Sequence, residues 1–427
     1  MPTVPRTDAG DWFSCVLCSG VVSLQLGQAT MTMADRWLLP DGIDEVLPPQ
    51  ALRMESLRRM LLDLYYRWGY DLVMPPPVEF LDSLLTGTGG DLDLQTFKLI
   101  DRVSGRTMGI SADVTPQVAR MDAHSLHREG PARLCYCAHV LRATADQYQG
   151  GRSPVQVGLE LFGHSGLDAD LEIVRLVLAS LDLAGARDIH LAFGHIGIYR
   201  ALIEHTSLDK GVEHELFAAI ERKAHTDVDA LLGDVEMDDA YRAMLCALPR
   251  LHGGVEVLEE ANTVFASAPH AIAEALSQLT VLARALSAAY PNVSLYFDLG
   301  ELRGYQYHTG VVFAAYVPGY GQALAKGGRY DDTGAVFGRP RPATGCSLEL
   351  KLLASLEEHQ PPQDGIWAPA DDAPQLVAQI QTLRAAGERV VEALPEQTTR
   401  PEQHRCNRML IQRGGEWVVV ALSDTSV

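Results

Sequence analysis

The chain predicts an α+β fold: an antiparallel sheet flanked by helices, a helical insertion, and a small α/β unit at the C-terminal end. Three observations lead there. Strand-like segments come in hairpin-spaced pairs, at 97–101 with 106–110 and at 133–141 with 154–162, the pattern that builds antiparallel sheet. Residues 198–290 instead repeat apolar side chains at helical spacing, as at Leu276, Leu279, Leu282 and Leu286, with almost no strand signal. Finally, Gln360-Pro361-Pro362-Gln363 breaks the pattern as a linker. We place the main domain at 31–362 and the C-terminal unit at 363–427, and expect residues 1–30 to be a disordered extension because they lack periodicity.

Pro48-Pro49 opens a first helix in which Leu57, Leu61, Leu64, Tyr65 and Trp68 recur three or four apart, and Gly69 closes it. A short strand over 71–74 ends at Pro75-Pro76-Pro77. Ser104-Gly105 turns the 97–101/106–110 hairpin, and Pro116 leads into a helix. A helix over 168–184 puts Leu171, Val174, Leu178 and Leu181 on one face. Strands resume at 293–299 and continue through 303–313 and 323–325, and a helix over 348–356 closes the domain. In the tail, a strand at 365–369, a helix at 375–387, a strand at 389–394 and a hairpin turning at Gly414-Gly415 complete the pattern.

Composition narrows the function. Lysine and arginine number 35 against 55 acids, a net charge of −20, which disfavours a nucleic-acid surface. The tail from 363 carries six arginines, no lysine and nine acids, again a poor partner for RNA. Seven scattered cysteines form no disulfide framework, and the lone Cys15/Cys18 pair lacks the second pair a metal site needs. No apolar run is long enough to span a bilayer, and no signal peptide is evident. Walker loops, dinucleotide glycine fingerprints, phosphoribosyl-diphosphate loops and zinc-ligand sets are also missing.

One segment reads as a binding surface. Alternation along 154–161 puts Gln156, Gly158 and Glu160 on one face and Val155, Val157, Leu159 and Leu161 on the other. A polar face with a glycine at its centre leaves room for a ligand, although a solvent-facing strand edge would look the same. Asp113 and Thr115, just before Pro116, fit a helix cap equally well.

Two further runs decide between these readings. Arg303-Gly304-Tyr305-Gln306-Tyr307-His308-Thr309-Gly310 and Gly327-Gly328-Arg329-Tyr330-Asp331 resemble the two histidine-recognition motifs of histidyl-tRNA synthetases, which read roughly RGLDYYTGTVFE and GGRYD. The resemblance, over about 38–356, implies a class II aminoacyl-tRNA synthetase-like fold and a histidine pocket. In that pocket Asp113 and Thr115 would meet the amine, and Gln156 and Glu160 match the family's QxxxE. Arg142 matches the arginine of F-R-x-E, and Arg303 the arginine between histidine and the α-phosphate. Tyr307 and His308 match a tyrosine pair, and Tyr330 forms a wall.

Departures matter as much. Thr144 replaces the glutamate of F-R-x-E, Gln306 replaces an aspartate, and Glu349 and Leu352 stand where GLER has its glycine and its ATP-binding arginine. A histidine pocket beside a damaged ATP site resembles the synthetase-like regulatory subunits of ATP phosphoribosyltransferase. That implies no catalytic residue, no cofactor and no metal here. L-histidine would be the effector ligand, and a short-form catalytic subunit the partner. It also implies a homodimer, formed through the first-helix region, inside a cytoplasmic hetero-oligomer without nucleic acid or membrane. An active synthetase and a stand-alone histidine sensor are the alternatives.

Overall fold

The computed structural model describes residues 37–87, 90–144, 151–356 and 365–425. The expectation for residues 1–30 and the linker at 360–363 therefore lie outside the described residues. Everything below belongs to one compact unit, Asp41–Val427.

A nine-stranded sheet runs in the order Asp71–Leu72, Ala132–His139, Val155–Phe162, Ala343–Glu349, Ala325–Arg329, Val311–Tyr316, His190–His195, Ser294–Asp298 and His252–Gly253. The six strands from Ala132–His139 to His190–His195 pair antiparallel throughout, as the hairpin spacing predicts. Near its margins the sheet departs from that expectation: Asp71–Leu72 with Ala132–His139, and His190–His195 with Ser294–Asp298, pair parallel. A parallel pair needs a crossover. In the second case the helical insertion supplies it, with helices from Ile196–Glu204 to His270–Ala289.

The apolar face of the sheet meets helices Gln50–Arg67 and Leu167–Leu183. Leu57, Leu61, Val174, Leu178, Val157 and Leu159 share that core, and the Tyr65 hydroxyl lies 3.1 Å from Ser180 Oγ. A second buried cluster on the opposite side joins Val114, Val118, Leu134, Tyr136, Phe162 and Tyr330. Strand Val155–Phe162 is thus buried on both faces, with Gln156 4% and Glu160 1% exposed. That excludes the solvent-edge reading of its polar residues.

Three expectations are corrected, and one strand is added. The Arg303–His308 run is a turn rather than a strand: Gly304 has φ +71°, and its carbonyl accepts from the amides of Tyr307 and His308 at 2.9 and 2.8 Å. The strand expected at 323–325 is Ala325–Arg329, carrying the second motif's glycines into the sheet. Leu348 and Glu349 end a strand, and the closing helix is only Leu350–Leu353. Strand His190–His195 was not anticipated, since its histidines, alanine and glycine blur the alternation.

Residues 365–425 form their own four-stranded sheet, in the order Val390–Glu392, Gly365–Ala368, Cys406–Arg413, Glu416–Ala421, around Ile366, Leu376, Ile380 and Leu410. Two of its arginines are already paired, Arg384 with Glu392 and Arg408 with Glu388, each at 2.8 Å.

Candidate functional site

A cleft of about 940 Å³ opens on the polar face of the sheet. All nine residues singled out in the sequence line it, although they come from segments as far apart as Asp113 and Tyr330. Such convergence of polar groups in a concave site is the ordinary form of a small-molecule pocket.

Glu160 forms the floor. Tyr136 donates its hydroxyl to Glu160 Oε1 at 3.3 Å, Tyr330 donates to Oε2, and the Thr115 hydroxyl lies 3.4 Å from that of Tyr136. Burial pushes this carboxyl up to about 8, against the opposing pull of those hydroxyls. Glycines make the room. Residue 345 lies opposite Glu160 in the next strand, and a Cβ there would collide with Glu160 Oε2 and stand 2.6 Å from the Leu159 carbonyl. Gly345→Ala should therefore destabilise the protein by about 1–3 kcal/mol, read by urea unfolding, because overpacked positions must shift backbone or neighbours.

Asp113 and Gln156 form a second group. Asp113 Oδ1 accepts from the Thr115 amide, the first of the helix, at 2.8 Å, whereas the N-cap position itself is Val114, which has no side-chain cap bond. Its Oδ2 accepts from Gln156 Nε2 at 3.3 Å, and Gln156 Oε1 accepts from the Val114 amide at 3.1 Å. Holding the first helical amide and lining the cleft thus coexist in Asp113.

The Arg303–His308 turn supplies the third group. The Tyr307 ring lies 4.0 Å from that of His308 and 5.7 Å from that of Tyr330. His308 is 8% exposed, and neither ring nitrogen has a hydrogen-bond partner of good geometry. Burial lowers its pKa to about 4, so the ring is neutral and offers one donor and one acceptor. Gly328 faces it: a Cβ there would stand 2.9 Å from Nε2.

Arg303 reaches the cleft already engaged. Its Nε and Nη2 donate to Glu301 at 2.9 and 2.6 Å, and Nη2 also to the Tyr316 hydroxyl at 3.1 Å. A ligand carboxylate would have to share this guanidinium. Arg142 lines the cleft from an isolated bridge with Thr96. Arg329, within the second motif, does not line it; its guanidinium pairs with the buried Asp170 at 2.7 Å.

The substituted ATP-site positions are built into the frame. Glu349 caps the short helix, accepting from the amides of Val155, Lys351 and Leu352 at 2.9, 3.2 and 2.8 Å. Its carboxylate is therefore occupied within the scaffold. Leu352 packs against the main core instead of presenting a cation.

The histidyl-tRNA synthetase family model matches residues 42–353, and the model for the ATP phosphoribosyltransferase subunit HisZ C-terminal domain matches residues 363–420. The ATP phosphoribosyltransferase regulatory subunit of Chromohalobacter salexigens is 67% identical over 393 residues, covering 92% of this chain and 100% of its own length. The chain belongs to this regulatory-subunit family. Its relative in Pseudomonas aeruginosa PAO1 is 52% identical over 92% of this chain and 100% of its own. Among solved structures, an ATP phosphoribosyltransferase regulatory subunit/histidyl-tRNA synthetase from Bacillus halodurans superposes with TM-score 0.76 at 27% identity, covering 86% of this chain and 95% of that one. A chain of the HisG:HisZ ATP phosphoribosyl transferase complex of Thermotoga maritima shares the fold, with TM-score 0.55 at 18% identity over 72% of this chain and 98% of that one.

Sequence reasoning missed two residues of the site, Tyr136 and Glu301. Tyr136 lies opposite Gly158 across the strand pair, and a Cβ at that glycine would collide with its ring. The signal was the glycine within a central strand, which marks a close approach from a neighbour.

Proposed function

We propose that this chain is the non-catalytic regulatory subunit of an ATP phosphoribosyltransferase, required by a short-form catalytic subunit and transmitting feedback inhibition by L-histidine bound in the cleft. One observation carries the reading: the cleft keeps the polar set that matches the synthetase histidine site, while Glu349 and Leu352 are folded into the scaffold. The ligand's ammonium would meet Asp113, Thr115 or Glu160, its carboxylate Gln156 or a shared Arg303, and its imidazole the neutral His308 and the aromatic walls. Among the described residues no helix is long and apolar enough to cross a membrane, in keeping with a cytoplasmic assembly.

Regulation requires that histidine bind two states of the complex unequally. Reconstitution with a short-form phosphoribosyltransferase tests this directly. Activity should depend on this chain and fall on addition of L-histidine; activity of the partner that ignores both would overturn the reading. The purified chain should also show no histidine-dependent pyrophosphate–ATP exchange. Losing one charge-stabilising donor can remove about 3 kcal/mol of transition-state stabilisation, and Thr144 and Leu352 replace two charged groups. Exchange at synthetase rates would favour an active synthetase instead.

A further inference from the structure

We propose that Tyr136 is a positioning residue for Glu160: burial beside the Asp113 carboxylate keeps this carboxyl a neutral acid in the unliganded cleft, the hydroxyl cage that Tyr136 completes keeps it within reach of ionisation, and binding of a cationic ligand group therefore releases a proton. The inference rests on the histidine-sensor reading and adds the way its binding depends on pH.

The geometry begins with where Glu160 stands. It lies on a strand buried on both faces, 1% exposed, with Gly345 clearing the space its carboxyl occupies. Every element packed around it contributes a polar group. Strand Ala132–His139 supplies the Tyr136 hydroxyl, and the start of helix Thr115–Arg120 supplies the Thr115 hydroxyl, with the Asp113 carboxylate just before it. Tyr330 follows strand Ala325–Arg329, Cys346 comes from strand Ala343–Glu349, and Tyr307 from the turn. These are hydroxyls, a thiol and a second carboxylate. Charge on Glu160 would be buried beside another acid, with hydroxyl dipoles as its support.

Tyr136 is the member that ties the cage together. It is wholly buried, donates to Glu160 Oε1, and lies 3.4 Å from Thr115 Oγ1. The ring can stand there only because residue 158 is glycine. Hydroxyl donation favours the ionised carboxylate and burial opposes it, so the group is balanced between its two forms. A ligand ammonium arriving in the cleft adds the missing positive charge. The O–H bond of the Glu160 carboxyl then breaks, its proton leaves to solvent, and an ion pair remains.

Two measurements on the full chain test this. In the first, infrared difference spectra of the unliganded protein follow the carboxylic-acid band that Glu160→Gln removes. We expect that band at neutral pH, titrating well above an ordinary glutamate, and shifted to still higher pH in Tyr136→Phe, which loses one stabilising donor. No band at neutral pH, or a midpoint unmoved by Tyr136→Phe, overturns the proposal. In the second, calorimetry of L-histidine binding in buffers of different ionisation enthalpy should show proton release. Affinity should rise by about tenfold per pH unit below the Glu160 midpoint and then level off, as linkage to one proton requires. Tyr136→Phe should weaken binding at neutral pH and approach wild type in alkali, whereas a purely structural defect weakens it equally at every pH. Binding without proton release overturns the coupling. If wild type binds no L-histidine, the sensor reading falls and the coupling with it, while the band titration still decides what Tyr136 does. Should Tyr136→Phe not fold, Tyr330→Phe removes the other tyrosine donor and must shift the band in the same direction.

Discussion

Arg329→Ala should destabilise the protein by about 3–5 kcal/mol, the usual consequence of stripping one partner from a buried ion pair. Its guanidinium donates to Asp170 from Nε at 3.1 Å and Nη2 at 2.7 Å, to Asp331 at 3.2 Å, and to the carbonyls of His164 and Gly166 at 3.2 and 3.1 Å. The side chains are 8% and 2% exposed, so the alanine variant leaves Asp170 charged, buried and unpaired. Burial already raises the Asp170 carboxyl even with the arginine present. In the variant it should take up a proton readily, so the defect should shrink as pH falls. Urea unfolding at two pH values measures both effects. A variant of normal stability that merely lost histidine would mean Arg329 serves the ligand, against its geometry.

That contrast shows how far the sequence could be read. Within Gly327-Gly328-Arg329-Tyr330-Asp331, strand alternation and family likeness place the motif at the cleft, and Tyr330 does line it. They cannot say that Arg329 turns away, because its partner Asp170 lies on a helix 159 residues earlier in the chain. The polar face of Val155–Phe162 was legible because side-chain alternation is local. Its burial was not, because that depends on Ala132–His139 and Ala343–Glu349 flanking it. Tyr136 escaped notice for the same reason: its register against Gly158 exists only once the two strands are paired. The Arg303 motif was found by its residues but misread as strand, since Gly304 in the left-handed region turns the chain where β-type side chains suggest extension. Glu301, two residues upstream, reads as an ordinary acid until its oxygens are seen holding Arg303.

Glu160→Gln should weaken L-histidine binding by well over tenfold while leaving the fold intact. Val155, Val157, Leu159 and Leu161, on the other face of the strand, remain packed in the main core, and the amide fills nearly the same space as the carboxyl. Truncating one side of a buried charge contact typically costs about 2–5 kcal/mol of binding, much of it from the partner left unpaired. Stability should move the opposite way. Glu160 is raised in the folded state to about 8. In the empty protein its contribution is therefore fully present below the unfolded carboxyl pKa and is lost as pH rises through about 8. Glutamine cannot ionise, so that loss disappears, and the empty variant should melt at or above wild type in mild alkali. A residue that weakens its own fold when charged, yet is needed to hold the ligand, is what a binding site built at the expense of stability looks like. Calorimetry on the isolated chain, inhibition curves on the reconstituted complex and melts at pH values on either side of neutrality would measure the three effects. Normal histidine affinity with full feedback inhibition in the glutamine variant would remove the cleft as the sensor and move the search to the boundary with the catalytic chain.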